Sequence, residues 1–371
     1  MKLTLKLKLH TTPEQKEQLL AAMEAFNAAC NYVSDIAFEQ KTASQIKLHK
    51  LCYYEIRKRF NLSAQMAVRA LGKVAESYKA EKKHHHQFKP YSAMVYDHRI
   101  WKFKLADTIN IKTLTDRIDI PFSFGGYREL DLNRVRGQAD LVYIDGVFYF
   151  FICVDVPEPP EIKPDDYIGV DLGIVNIATD SDAQSFAGNK VNGLRKRHHK
   201  LRKKLRAKGT RSAKRLLEKR KRKESRFAKD VNHVISKKLV EKAKRTKRGI
   251  ALEDLSGIRD RIRVRKGQRR QHHSWSFFDL RQKIEYKAKL AGIPVVAVDP
   301  RYTSQMCSKC GYVSKANRPN QSTFSCKACG FSAHADINAA INIGRRAVAN
   351  QPDVAFVEAK AVQLLLNWNC G

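Results

Sequence analysis

Residues 299–342 read DPRYTSQMCSKCGYVSKANRPNQSTFSCKACGFSAHADINAAIN, and the rest of the chain is organised around them. It contains two Cys-x2-Cys pairs separated by fifteen residues, formed by Cys307, Cys310, Cys326 and Cys329. This spacing is that of a four-thiolate zinc ribbon. Zinc prefers four tetrahedral soft ligands, and a complete set of four leaves no position for a substrate. The sequence therefore predicts a structural zinc ion that holds together a segment too small to have its own core.

Each cysteine pair is followed by a glycine, Gly311 and Gly330, which lets the backbone turn around a bound ion. Iron bound by the same four thiolates is the second candidate, ahead of a disulfide clip. Asp336 follows the second pair and opens an apolar-periodic run, so it is expected in the first turn of a helix. A lone Asp there is usually a helix N-terminal residue, and it gains chemical meaning only if other carboxylates converge on it.

The charge of the chain predicts a polyanionic partner. The 371 residues carry 71 Lys plus Arg against 37 Asp plus Glu, a formal net charge of +34, and are 43% hydrophobic. Residues 190–248 alone contain 27 basic and 4 acidic side chains, a net charge of +23. So large an excess most often serves nucleic acid. Binding to a membrane surface is the alternative, but the apolar face of this segment lacks the aromatic anchors of such helices.

The distribution of apolar residues and cysteines indicates the cellular compartment of the protein. The sequence has no run of about 18 apolar residues, and its first ten residues alternate apolar and basic side chains instead of forming a signal core. The other four cysteines are scattered through the chain, which favours a reducing compartment. We therefore expect a cytoplasmic protein that does not associate with membranes.

The first 160 residues predict a β-barrel interrupted by helices. Residues 2–9 alternate with period two and predict a strand, and the Thr-Pro step at Thr12 predicts the start of a helix. Short strand patterns begin at Met94, and Asp145-Gly146 lies between two β-rich runs as in a hairpin. These strands and the first one are expected to form one antiparallel barrel. The proline-rich residues 157–164 are interpreted as a linker.

Three acidic residues stand at the ends of predicted buried elements in the remainder of the chain. A strand ends in Asp171 and is followed by a predicted hairpin, a strand over residues 250–252 ends in Glu253, and Asp336 opens a helix. Converging carboxylates are costly unless a cation neutralises them, and oxygen ligands suit Mg²⁺ or Mn²⁺. Two such ions can support phosphodiester hydrolysis. The order strand, hairpin, helix, strand with these acids is what a ribonuclease H type nuclease core requires.

Five segments carry a family resemblance: GVDLG at 169–173, RFAKDVNHVISKKLV at 226–240, ALEDLSGI at 251–258, VDPRYTSQMCSKCG at 298–311 and HADINAAINI at 334–343. They resemble the TnpB family of transposon-encoded RNA-guided DNA endonucleases, relatives of the type V CRISPR effectors. In that family the RuvC-like nuclease triad is Asp, Glu, Asp, which matches Asp171, Glu253 and Asp336. The resemblance implies that Asp171 and Asp336 ligate Mg²⁺ or Mn²⁺, with Glu253 ligating or orienting one ion.

The resemblance also implies a multidomain α+β organisation. Residues 1–10 and 91–160 would form a wedge β-barrel, 11–90 a helical recognition lobe, 161–304 and 334–347 an RNase H/RuvC-like α/β nuclease domain, and 305–333 the inserted zinc ribbon. Residues 348–371 match nothing in the family and are unassigned. A role in single-stranded DNA or heteroduplex contact is expected for residues 259–270, and Asp299 is a candidate fourth acid.

The predicted function is that of an RNA-guided DNA endonuclease encoded by a prokaryotic transposon. The protein is expected to associate with the nucleoid, and a monomer is favoured. Its partners would be a guide RNA from the transposon end and target DNA, both duplex and displaced single strand, next to a short transposon-adjacent motif. Two alternatives are a nuclease-silent RNA-guided regulator, which the intact acids argue against, and an unguided acidic-triad transposase. A basic zinc-ribbon binding module does not explain the three acids.

Overall fold

The computed structural model describes residues 1–105, 107–125, 134–220, 222–255 and 277–349. The chain divides into two compact units, Met1–Pro157 and Glu158–Gly371. Residues 259–270, for which DNA contact is expected, and the tail from residue 350 lie outside the described residues. No helix in the described ranges is both long enough and apolar enough to span a bilayer.

The first unit contains a seven-stranded, nearly closed sheet in which every pairing is antiparallel. Its strands are β1 (Lys2–Leu9), β2 (Met94–Tyr96), β3 (Trp101–Leu105), β4 (Thr108–Lys112), β5 (Arg117–Phe124), β6 (Val135–Ile144) and β7 (Val147–Asp155), in the order β2-β6-β7-β1-β5-β4-β3. Asp145 and Gly146 both have positive φ and connect β6 to β7, as a tight hairpin turn requires. The predicted antiparallel sheet and its hairpin are confirmed.

Three helices lie between β1 and β2 in the chain: α1 (Pro13–Glu39), α2 (Gln45–Phe60) and α3 (Ala64–Ala80). Thr12 and Gln15 form a capping box at the start of α1, which is the predicted helix-start signal. The apolar side chains of these helices and of the sheet form one continuous core that includes Leu5, Phe26 and Phe150. The division of this unit into a wedge and a recognition lobe stays a prediction.

The second unit is built on a five-stranded mixed sheet. Its strands are β8 (Tyr167–Asp171), β9 (Asn176–Asp180), β10 (Ser185–Ala187), β11 (Gly249–Glu253) and β12 (Val295–Val298), in the order β10-β9-β8-β11-β12. The strands β8, β11 and β12 are parallel to one another. The strand β9 pairs antiparallel with β8, and β10 pairs antiparallel with β9. The carboxyl ends of the parallel strands therefore lie at one edge of the sheet, which is where an open α/β sheet binds its ligands.

Helices cover both faces of this sheet. The helices of this unit are α4 (Asn189–Lys208), α5 (Arg211–Lys219), α6 (Lys223–Thr246), α7 (Phe277–Leu290) and α8 (Ala335–Ala349), of which α5 packs against α4. One face packs Ile168, Val170 and Leu252 against α4, α6 and α7. The other face packs Tyr167 and Ala251 against α8. The predicted order of strand, hairpin, helices and strand is confirmed, and the chain is an α+β protein at this level.

Glycines allow α8 to lie unusually close to the central strand. A methyl group added at Gly169 of β8 would lie 1.9 Å from the Ala340 carbonyl oxygen, and one at Gly344 of α8 would lie 2.8 Å from the Tyr167 carbonyl oxygen. Both distances are below a real van der Waals contact, so neither position has room for a side chain. The close approach sets the position of the helix that carries Asp336 relative to the strand that carries Asp171.

The cysteine segment lies between β12 and α8. It contains a 3₁₀ turn (Lys315–Asn317) and an antiparallel hairpin, β13 (Thr323–Ser325) and β14 (Ser332–His334). Its apolar cluster consists of Cys307, Phe324, Cys326 and Ala335, with Phe331 packed against it. So small a cluster cannot stabilise a fold alone, which is the situation in which small domains depend on a metal or a disulfide.

Candidate active site and metal centre

The four predicted cysteines converge on one point. Their Sγ atoms all lie within 4.8 Å of one another, with Cys307 and Cys329 at 3.8 Å and Cys310 and Cys326 at 3.6 Å. Tetrahedral zinc at about 2.3 Å from each sulfur places the sulfurs about 3.8 Å apart. The thiolates therefore fit a zinc ion.

The backbone around the cysteines prepares them as ligands. Gly311 N–H donates to the Cys307 carbonyl (2.9 Å) and Gly330 N–H to the Cys326 carbonyl (3.1 Å), with φ of 78° and 69° at the two glycines. The Cys329 N–H donates to Cys326 Sγ (3.5 Å), and backbone donors of this kind lower the pKa of the Cys326 thiol to about 6. Because the thiolate is the form that binds metal, these donors favour the metal-binding form of Cys326. Against the lowering effect of a backbone hydrogen bond, side-chain hydrogen bonds within the cysteine cluster and burial raise the pKa of Cys310 to about 12.

The three acids predicted from the sequence line one cavity of about 650 Å³. Asp171 ends β8 and Glu253 ends β11, the parallel neighbour of β8, so both carboxylates lie at the same edge of the sheet. Asp336 lies in the first turn of α8, which packs on β8. Neighbouring strand ends and a helix start thus bring together three residues that are far apart in the chain.

Burial raises the pKa of two of the acids, Asp171 and Glu253. Burial raises the pKa of Asp171 to about 7, and the charges of Glu253 and Asp336 add to the increase, while Arg318 opposes it. Burial also raises the pKa of Glu253, opposed by a hydrogen bond from the Thr303 hydroxyl. Titratable groups in a cleft with such opposed influences are typical of functional sites.

Sequence reasoning missed the polar residues around Asp336. Asn176 Nδ2 donates to Asp336 Oδ2 at 2.9 Å. Arg318 of the ribbon lies 3.9 Å from Asp336 Oδ1, and His334 Nδ1 lies 4.0 Å from Oδ2. All three residues line the same cavity. None of them belongs to a periodic or spaced motif, so only the family motifs that contain or flank them could have drawn attention to them.

The donor set fits divalent cations. Carboxylate oxygens are the ligands that Mg²⁺ and Mn²⁺ take, and three of them face one polar cavity. Among the described residues, only the four cysteines form a group of three or more ligand atoms within 4.8 Å, so the acids surround the cavity without closing into one cluster.

The candidate fourth acid has a local structural role. The Asp299 carboxylate accepts a hydrogen bond from the Arg301 N–H (2.9 Å), and 59% of its side chain is exposed. Asp299 does not line the cavity of the three acids. The structure therefore places it at the turn after β12, in agreement with the loop role that Pro300 indicates.

Two family models match segments of the chain, and they define the class of domains to which these segments are similar. Residues 151–256 match the OrfB_IS605 model, described as "Probable transposase", and residues 277–343 match the model described as "Cas12f1-like, TNB domain". The first match contains Asp171 and Glu253, and the second contains the four cysteines and Asp336. The resemblance to the TnpB family is confirmed in these segments.

Particular relatives carry names of the same kind. The chain is 48% identical over 118 residues to "CRISPR-associated endodeoxyribonuclease Cas12f1" of Sulfoacidibacillus thermotolerans, which covers 32% of this chain and 26% of the relative. It is 28% identical over 263 residues to "Putative RNA-guided DNA endonuclease InsQ" of Escherichia coli, which covers 65% of this chain and 64% of the relative. The chain thus spans less than two thirds of the length of either relative.

Solved structures show the same fold at low sequence identity. The chain in "Cryo-EM structure of the Cas12f1-sgRNA-target DNA complex" has a TM-score of 0.61 and 15% identity, and the alignment covers 92% of this chain and 98% of that one. The structure of "the mini-RNA-guided endonuclease CRISPR-Cas_phi3" has a TM-score of 0.57 and 14% identity, with 95% and 93% covered. The likeness extends over both units, and it is a likeness of fold.

Proposed function

We propose that this protein is an RNA-guided DNA endonuclease encoded by a transposon. It would cut DNA beside a short transposon-adjacent motif by metal-dependent phosphodiester hydrolysis in a RuvC-like site. The observation that carries the proposal is the convergence of Asp171, Glu253 and Asp336 on one cavity, in segments that match the two family models. The names of the relatives, an endodeoxyribonuclease and an RNA-guided DNA endonuclease, support the same activity.

The acids would hold Mg²⁺ or Mn²⁺. When bound, two such ions supply an activated water and stabilise the leaving oxygen of the phosphodiester. Asp171 and Asp336 would ligate, and Glu253 would ligate or orient a ligand. Asn176 holds the Asp336 carboxylate by its amide, and the Arg318 cation next to Asp336 limits the excess of negative charge where a phosphate must enter.

Guide RNA and target DNA are the proposed partners. A bound guide pairs with the target, so the protein need read only duplex shape, the backbone and the short adjacent motif. The net charge of +34, of which +23 lies in residues 190–248, supplies the phosphate contacts. We propose the same domain boundaries as those implied by the family resemblance, with a wedge barrel, a recognition lobe, a nuclease domain and a ribbon. We also propose that the protein is prokaryotic, cytoplasmic and associated with the nucleoid.

The decisive test combines a cleavage assay with recovery of bound RNA. The protein is expressed with its flanking DNA, and the RNA that survives a high-salt wash is sequenced. We expect one discrete species whose 3′ end matches the flank of the element, and Mg²⁺-dependent cleavage of DNA complementary to that end. Asp171→Ala is expected to abolish cleavage and preserve binding of RNA and target. Cleavage that persists in this variant would refute the assigned site.

The two other functions give different outcomes in the same experiment. A nuclease-silent regulator would retain the discrete RNA and the target but would cut nothing with wild-type acids. An unguided transposase would carry a heterogeneous smear of RNA and would join transposon ends in a strand-transfer assay. The three intact acids in one cavity favour the nuclease over the regulator.

A further inference from the structure

Thr303 lines the cavity of the proposed active site and contacts Glu253. Its side chain is 3% exposed, and its hydroxyl donates to Glu253 Oε1. The hydroxyl has one hydrogen and two acceptors in reach, since the Pro300 carbonyl lies at 3.0 Å. The carboxylate is nearer and charged, so it is the stronger acceptor.

Thr303 is in turn held by the helix that carries Asp336. Asn342 of α8 is fully buried, and its Nδ2 donates to the Thr303 carbonyl (2.9 Å) and to the Met306 carbonyl (2.7 Å). One turn earlier on the same face, Asn338 Nδ2 donates to the Met306 carbonyl (2.8 Å) and its Oδ1 accepts from the Ser308 N–H (2.9 Å). Two buried amides of one helix thus clamp the segment that leads into the cysteines.

We propose that Thr303 is a positioning residue for the Glu253 carboxylate, anchored to α8 through Asn342. This proposal rests on the proposed function, because it assigns Thr303 to the metal site of that nuclease. Asn342 binds the Thr303 backbone and the Thr303 hydroxyl binds Glu253. Glu253 is therefore linked to α8, the helix that carries Asp336. A carboxylate at the end of a flexible Glu side chain has several rotamers, and a fixed donor selects the one in which its free oxygen faces the cavity.

The position is also constrained from the ribbon. Met306, whose carbonyl both amides bind, immediately precedes the ligand Cys307. The clamp therefore joins the start of the zinc ribbon, the Thr303 backbone and α8 into one buried polar network. Hydrogen bonds of this kind rigidify a site. The amide nitrogens of both asparagines are satisfied, whereas the buried Asn342 Oδ1 has no hydrogen-bond partner among the described residues.

The test compares Thr303→Val, which removes the hydroxyl and keeps the shape, with Thr303→Ser, which keeps the hydroxyl. Mn²⁺ binding to the full-length protein is measured by electron paramagnetic resonance, and the Mg²⁺ concentration for half-maximal cleavage is measured in the guide complex. We expect Thr303→Val to weaken Mn²⁺ binding and raise the Mg²⁺ requirement by about 10- to 100-fold, as removal of an outer-shell partner does at other metal sites. Thr303→Ser is expected to restore both.

Thr113→Val is the matched control. Thr113 is 1% exposed and its hydroxyl donates to the Asp116 carbonyl (2.8 Å) in the turn between β4 and β5, so the substitution removes a buried hydroxyl outside the proposed site. We expect it to lower thermal stability and leave Mn²⁺ affinity unchanged. An equal decrease of Mn²⁺ affinity in both Val variants would show a general packing effect and overturn the proposal.

The outcomes separate this proposal from the proposed function. If wild type cleaves and Thr303→Val has wild-type Mn²⁺ affinity and Mg²⁺ requirement, Thr303 has no positioning role. If wild type neither cleaves nor binds Mn²⁺, the nuclease assignment fails and the positioning role fails with it. Zinc content of each variant is measured in parallel, and Asn342→Ala, which removes the anchor and keeps the hydroxyl, is expected to weaken Mn²⁺ binding in the same direction.

Discussion

The Asp171 carboxyl is the most perturbed acid of the proposed site. Burial raises its pKa to about 7, with further contributions from Glu253 and Asp336. An acid whose folded pKa lies above its unfolded value of about 3.8 destabilises the fold as pH rises through that interval, because the unfolded chain releases the proton first. A cation between the carboxylates would remove this cost.

The pH dependence of metal-free stability tests this description. Asp171→Asn is expected to raise the melting temperature in EDTA at about pH 8, where wild type must ionise a buried acid, and to do so less at about pH 5, where folded Asp171 keeps its proton. Because EDTA also removes zinc, the comparison is made between variants in identical buffer. Added Mg²⁺, in a zinc-containing buffer without EDTA, is expected to stabilise wild type more than the Asn variant. A pH-independent difference would contradict the raised pKa.

At the scale of elements, the contact between α8 and β8 sets the geometry of the acids. Gly169 and Gly344 bring helix and strand backbones together, and a methyl group at Gly169 would meet the Ala340 carbonyl oxygen at 1.9 Å. Backbone atoms cannot rotate away as a side chain can. A change at this contact therefore moves the helix start, and Asp336 with it.

Gly169→Ala is expected to destabilise the protein by about 3 kcal/mol through overpacking and to reduce cleavage more than RNA binding. Denaturant unfolding and cleavage rates measure the two effects. Gly193→Ala is the control, because Gly193 lies in α4 with nothing within 4 Å of an added methyl group. There the change should stabilise the helix by about 0.5 to 1 kcal/mol. Equal effects of the two substitutions would argue against the close contact.

At the scale of the whole molecule, the four-cysteine ribbon and the net positive charge of the chain both bear on the proposed function. Arg318 of the ribbon and His334, the last residue of β14, line the cavity, and β14 continues directly into α8. Its apolar cluster is small, so its structure should depend on the cysteine site. The basic helices supply the charge that a polyanion requires.

Cys307→Ser is expected to release zinc and to loosen the segment that carries Asp336. Elemental analysis should show about one zinc fewer per chain, since one closed site takes one ion, together with lower cleavage activity. Cys153→Ser, at a half-buried cysteine of β7, is the control and should retain zinc. Unchanged zinc and activity in Cys307→Ser would refute the link between ribbon and site.

Salt dependence tests the role of the basic segment. Lys196, Lys200 and Lys203 are exposed on α4. Replacing all three by Ala should reduce the slope of log affinity against log salt by about 0.7 to 0.9 for each phosphate that these side chains neutralise in the wild-type complex. Replacing them by Arg keeps the charge and should preserve the slope. An unchanged slope in the Ala variant would show that other basic residues bind the phosphates.

The sequence by itself determined the features that depend on local pattern. Four thiolates at a fixed spacing, alternation in β1, the Thr12 cap of α1 and the hairpin at Asp145-Gly146 were all predicted, because each arises within a few neighbouring residues. The three acids were predicted for a related reason, since each marks the end of a strand or the start of a helix. Their proposed roles came from the family resemblance.

Only the tertiary structure decided which other side chains reach the site. Asn176 and Asp336 are hydrogen-bonded across 160 positions of the chain, and Thr303 reaches Glu253 across 50. No local periodicity encodes such pairs, because they form where the start of β9 meets α8 and where the segment after β12 meets the end of β11. The hydrogen bond from Asn342 to the Thr303 carbonyl is another such long-range pair. A buried Asn in a helix must have a polar partner, but the sequence does not indicate which residue that partner is.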